Sequence, residues 1–90
     1  MTLDQKITIS PHAFLQIIDD EAVILNSETN QFFALNSVGQ LIWEKLQISS
    51  NLNTIFIELQ SLYDISPNKL SLDILIFIQQ LNKIGVINYK

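Results

Sequence analysis

The sequence predicts an α+β fold in which a small antiparallel sheet is followed by three helices. Up to residue 35 the apolar side chains fall in short runs separated by clusters of Asp, Asn, Ser and Thr. That is the pattern of strands joined by tight turns. From residue 36 onward they recur three and four residues apart, the spacing of one helix face. A chain of 90 residues holds one modest core, so both halves are expected to form a single domain over residues 1–90.

Ile7, Thr8 and Ile9 end at Ser10 and Pro11, and are expected as a short strand or an ordered arm. The first full strand is Leu15, Gln16, Ile17 and Ile18, closed by the polar turn Asp19, Asp20 and Glu21. Ala22, Val23, Ile24 and Leu25 form the second strand. A second turn follows over residues 26–30, with Asn30 suited to a left-handed backbone position. Gln31, Phe32, Phe33, Ala34 and Leu35 complete a three-stranded meander. Asn36 then caps a first helix whose Val38, Leu41, Ile42 and Leu46 share a stripe, with Trp43 as a core anchor. Gly39 inside that helix costs about 1 kcal/mol relative to Ala; it is expected to let another backbone come close. Asn51 caps the second helix, carrying Leu52, Ile55, Phe56, Leu59 and Tyr63 at helical spacing.

The third helix has the clearest start. Ser66 is the N-cap, Pro67 takes the first helical position, and Ile65 and Leu70 stand at the ends of a hydrophobic staple. Gly85 terminates it, and Val86, Ile87, Asn88 and Tyr89 suit a last short strand. Leu70, Ile74, Phe77, Leu81 and Ile84 form the core stripe, while Leu72, Leu75 and Ile76 lie largely off it. A helix apolar on more than one face is either sandwiched or exposes a second contact surface.

Composition removes several classes of function. Nine acidic side chains against five basic ones give a net charge of −4 with no basic run, which argues against nucleic-acid binding. With no cysteine, disulfides, zinc-thiolate sites and thiol nucleophiles are excluded. No signal peptide and no membrane-length apolar run is visible, so the expected location is the cytoplasm, away from any membrane. His12 is the only histidine and has no serine partner at motif spacing, so it reads as structural or exposed. The acidic residues 19–21 lack the spacing of a calcium loop and read as a solvated turn. With only Gly39 and Gly85, no phosphate-binding glycine loop exists. No catalytic site, metal or cofactor is expected. At 48% apolar and 16% charged residues, a greasy patch awaiting a partner is in keeping.

That leaves a sheet edge and a helix face. Residues 31–35 carry no charge, proline or glycine, the devices that usually protect an edge strand. Either the amino-terminal arm or another part of the chain covers this edge, or an incoming peptide pairs with it and seats alternate side chains in pockets.

The run from Val23 through Leu25, Asn26, Phe32, Phe33, Leu35 and Asn36 into Val38, Gly39, Leu41, Ile42, Trp43 and Leu46 resembles the PqqD family. So do Asp73, Ile74, Leu75, Phe77, Ile78 and Leu81 with Gly85, Val86 and Ile87. The similarity covers roughly residues 7–88, and its specific part is the Leu-Asn, Gly, Ile-Trp, Leu spacing. Family members commonly carry glycine in the second turn, where this chain has Asn30, a residue able to take the same backbone geometry.

The resemblance implies a winged helix-turn-helix domain that binds the leader of a ribosomally made precursor peptide. The leader adds as a strand in the groove between the third strand and the third helix, and its core is presented to a modifying enzyme. A radical-SAM enzyme, a leader peptidase or a cyclase would be that partner, as in PQQ or lasso-peptide biosynthesis. By matching position, the strand wall is Gln31, Phe32, Phe33, Ala34 and Leu35, acting mainly through backbone groups. The helix wall is Leu72, Asp73, Ile76 and Gln80, with Asp73 placed to pair with a basic or polar leader residue. Phe33→Pro is expected to abolish binding through its lost N–H. A winged-helix DNA binder and a dimerisation module stay open as alternatives, because an exposed edge can also pair with itself to give a homodimer.

Overall fold

A computed structural model describes residue 3 and residues 5–89. The outermost positions of the expected 1–90 domain (1, 2, 4 and 90) lie outside the described residues. The element order is β1 (Ile7–Ile9), β2 (Ala13–Ile18), β3 (Glu21–Asn26), β4 (Phe32–Leu35), α1 (Ser37–Leu46), α2 (Leu52–Leu62), α3 (Pro67–Lys83) and β5 (Ile87–Tyr89). The three-stranded antiparallel sheet, in the order β2-β3-β4, precedes the three helices as predicted.

The turns follow from their residues. Asp19 and Asp20 both take positive φ, 51° and 65°, between the paired residues Ile18 and Glu21. Two consecutive left-handed residues match the right-handed twist of the flanking strands, and Asp tolerates that geometry. The turn is therefore shorter than expected, and Glu21 already belongs to β3. In the next hairpin Asn30 takes φ 62°, the left-handed position assigned to it.

Each helix begins on the expected cap. The Asn36 side chain accepts from Gly39 N, Asn51 accepts from Asn53 N and Thr54 N, and Ser66 accepts from Lys69 N. Gly85, at φ 80°, ends α3. The N–H of Gly85 donates to the Asn82 carbonyl and that of Val86 to the Leu81 carbonyl, the paired bonds of a Schellman motif.

One buried cluster joins both halves. Ala22, Ile24 and Leu35 of the sheet pack with Ile42, Trp43 and Leu46 of α1, Leu52, Ile55 and Leu59 of α2, and Leu70, Ile74, Ile78 and Leu81 of α3. Ile78 is fully buried although the core stripe omitted it, so α3 is covered on a wider arc than one stripe. Its remaining apolar face stays open at Leu72 and Ile76, which are 58% and 43% exposed. Both readings of the over-apolar helix thus apply, on different sides.

One open alternative is resolved and one expectation is overturned. Among the described residues, the amino-terminal segment does not pair with the meander; β1 pairs antiparallel with β5 in a separate two-stranded sheet, with Ile7 opposite Tyr89 and Ile9 opposite Ile87. And Gly39 admits a side chain, not a backbone: a Cβ there would stand 3.1 Å from the Phe77 ring and 3.3 Å from Asn36 Oδ1.

Candidate functional site

Among the described residues no strand pairs with the outer edge of β4. Which of its backbone groups point outward follows from the hairpin. The Asn26 N–H donates to the Gln31 carbonyl at 2.8 Å, so residues 26 and 31 form a hydrogen-bonded pair. Bonded and non-bonded pairs alternate along an antiparallel ladder. With Ile24 opposite Phe33 and Val23 opposite Ala34, the Phe33 and Leu35 groups turn toward β3. Those of Phe32 and Ala34 turn outward, unclaimed by the sheet. Phe33 N–H is therefore not the free donor that the sequence reading took it to be; Ala34 N–H is.

Beside this edge lies a cleft of about 350 Å³. Phe33 and Ala34 form the strand wall, and Asp73, Ile76, Phe77 and Gln80 of α3 form the facing wall. Val38, Gly39 and Ile42 of α1 line it from below, and Ile65 and Leu70 line the end near the start of α3. The walls touch where the Phe33 and Phe77 rings meet edge to face, 5.9 Å between centroids. Because alternate β4 residues face opposite sides, Phe33 and Leu35 turn toward the helices. The Phe32 side chain turns to the far side of the sheet and is 65% exposed.

Phe33, Ala34, Asp73, Ile76 and Gln80 thus come together on one cleft. The others do not line it. Leu35 is buried in the core, Gln31 precedes β4 and spends its carbonyl on Asn26, and Leu72 points away from the cleft as an exposed side chain. Asn36, Val38, Gly39, Ile42, Ile65, Leu70 and Phe77 line it but were assigned to caps and core. Their one advance signal was Gly39, which marked a close approach but pointed to a backbone where the structure brings the Phe77 ring.

The only charge on the cleft is Asp73, whose carboxylate lies 3.4 Å from Lys69 Nζ, one helical turn earlier. Both side chains are largely solvated, and such a pair is weak and readily exchanged. His12 lies elsewhere, 3.1 Å from the Glu28 carboxylate at the hairpin. Among the described residues no cluster of His, Asp or Glu is placed to hold a metal ion, and no helix is long and apolar enough to cross a membrane.

A three-stranded sheet with an open edge, backed by three helices and a cleft, defines a small winged helix-turn-helix domain built on α+β lines. The sequence profile of PqqD, coenzyme PQQ synthesis protein D, matches residues 21–87, and the chain belongs to that family. Two solved structures share its architecture. TbiB1 in complex with the TbiA(beta) leader peptide is 26% identical, with a TM-score of 0.80 over 90% of this chain and 94% of that one. Lasso peptide synthetase B1 complexed with the leader peptide is 19% identical, with a TM-score of 0.80 over 92% of this chain and 98% of that one; this likeness concerns the fold alone. No curated protein sequence matches the chain significantly.

Proposed function

We propose that this protein binds the leader segment of a ribosomally synthesised precursor peptide by strand addition to β4 and presents it to a modifying enzyme. The observation that carries this reading is the unpaired edge of β4, with the outward N–H and C=O groups of Phe32 and Ala34, running beside an apolar cleft. An added strand pairs its backbone with those two residues. Its side chain opposite Phe33 then points to the helix side, into the cleft between Phe33, Phe77, Leu70 and Ile76. That position takes an apolar side chain. Asp73 and Gln80 on the same wall offer a carboxylate and an amide to polar neighbours two residues away on the peptide.

The leader peptide bound in the 26%-identical structural relative supports this reading. The chain itself acts as a carrier without catalysis, in the cytoplasm where precursors are made. Within the recognition site, Gln31 and Leu35 support the strand wall and Phe32 contributes backbone alone, while Leu72 stands outside it.

Calorimetric titration with the leader of its cognate precursor peptide tests the proposal. A micromolar dissociation constant, about 8 kcal/mol, is expected from backbone pairing plus a buried apolar anchor. Folded protein that takes up no leader at millimolar peptide overturns it. A homodimer through the same edge would compete, so its apparent mass should fall as peptide is added.

A further inference from the structure

Asn26 is the one buried polar side chain among the described residues, 5% exposed. Its four hydrogen-bonding groups are all used. Its N–H donates to the Gln31 carbonyl at 2.8 Å, and its carbonyl accepts from the Asn30 N–H at 2.7 Å. Oδ1 accepts from the Glu28 N–H at 2.9 Å, and Nδ2 donates to the Ile84 carbonyl at 2.8 Å. The orientation of the amide is fixed by these partners, an N–H on one side and a carbonyl on the other.

The first three bonds shape the turn that launches β4. The fourth reaches across 58 residues to the C-cap of α3, where a carbonyl would otherwise lack a helical partner. One side chain therefore ties the strand wall of the cleft to its helix wall. Gly85 makes room for it: a Cβ there would stand 2.9 Å from Asn26 Nδ2.

We propose that Asn26 is a positioning residue that sets the width of the groove, holding the hairpin end of β4 against the end of α3 without touching the peptide. This rests on the reading of the groove as the peptide site. A hydrophobic residue of similar size would fill the volume but leave the Glu28 N–H and the Ile84 carbonyl unpaired. The pair Phe33 and Phe77, further along the groove, reports the width.

Asn26→Asp tests this by exchanging the amide donor for an oxygen. Burial and the facing Ile84 carbonyl disfavour the charged carboxylate, so the folded pKa of the substituted side chain rises above its unfolded value of about 3.9. The variant therefore suffers above that raised pKa, where the carboxylate repels the carbonyl, and recovers as pH falls and the acid O–H donates a hydrogen bond to it. Glu28, its carboxylate paired with His12, and Lys83 beside Ile84 are the neighbouring charges. The natural protein carries the same groups and is the control at each pH.

Phe33–Phe77 ring cross-peaks in NMR spectra of the variant should vanish at about pH 7 and return at about pH 4.5, while those of the natural protein persist throughout. Cross-peaks unchanged at both pH values overturn the proposal. Should the variant not fold, the natural protein decides. Its Asn26 side-chain amide should exchange at least about tenfold slower than the exposed side-chain amides of Gln79 and Gln60. Exchange at their rate overturns the proposal. A natural protein with a protected Asn26 that binds no leader peptide fails the functional reading and leaves the positioning role intact.

Discussion

At β4, neighbouring residues carry opposite duties. Phe33 gives its backbone to β3 and its ring to the cleft; Ala34 gives its backbone to the open edge. Proline removes one N–H, so the two positions separate fold from binding. Ala34→Pro should leave the far-ultraviolet circular dichroism spectrum intact and weaken leader binding about tenfold or more, the worth of an edge hydrogen bond and its register. Phe33→Pro should instead break the β3–β4 ladder and lower the melting temperature sharply. Gly39 makes a second residue-scale case. With 3.1 Å to the Phe77 ring, Gly39→Ala gains helix propensity but pushes the ring that closes the cleft. Overpacking of this kind costs about 1–3 kcal/mol. The variant should melt lower by about 4–8 °C per kcal/mol and bind leader more weakly, both measurable on one sample.

Among the elements, the helices were legible because their signals are local. Asn36, Asn51 and Ser66 cap the helices they were expected to cap, and Gly85 ends α3, since each acts on backbone groups within three or four residues. The cleft was legible only in part. Its two walls could be expected from an unprotected strand and a helix with too many apolar residues. Its lining by α1 could not, because Val38 and Ile42 carry the same spacing whether they meet a core or a cavity. Leu72 and Ile76 illustrate the limit: one helical turn apart, both exposed, yet only Ile76 faces the cleft. Ile76→Ser should therefore weaken leader binding while Leu72→Ser leaves it unchanged. The caps divide in a similar way. Ser66→Ala and Asn36→Ala should each cost about 1 kcal/mol of stability. Only Asn36→Ala should also alter leader affinity, since Asn36 lines the cleft and Ser66 does not.

Over the whole molecule, the decisive feature is the pairing of the two chain ends. β1 and β5 form their own two-stranded sheet, which occupies the amino-terminal segment elsewhere and leaves the outer edge of β4 unpaired. Nothing local announces a contact between residues 7 and 89, so the sequence left open whether the arm would cover that edge. Register was hidden for the same reason: the phase that turns Ala34 outward depends on the Asn26–Gln31 bond across the hairpin. The central claim, strand addition at β4, is tested most directly by amide NMR during titration with the cognate leader peptide. The Phe32 and Ala34 amides should shift strongly and gain protection from hydrogen exchange, while amides of β2, on the opposite edge, stay unchanged. Bound peptide with the Phe32 and Ala34 amides unprotected would contradict the account.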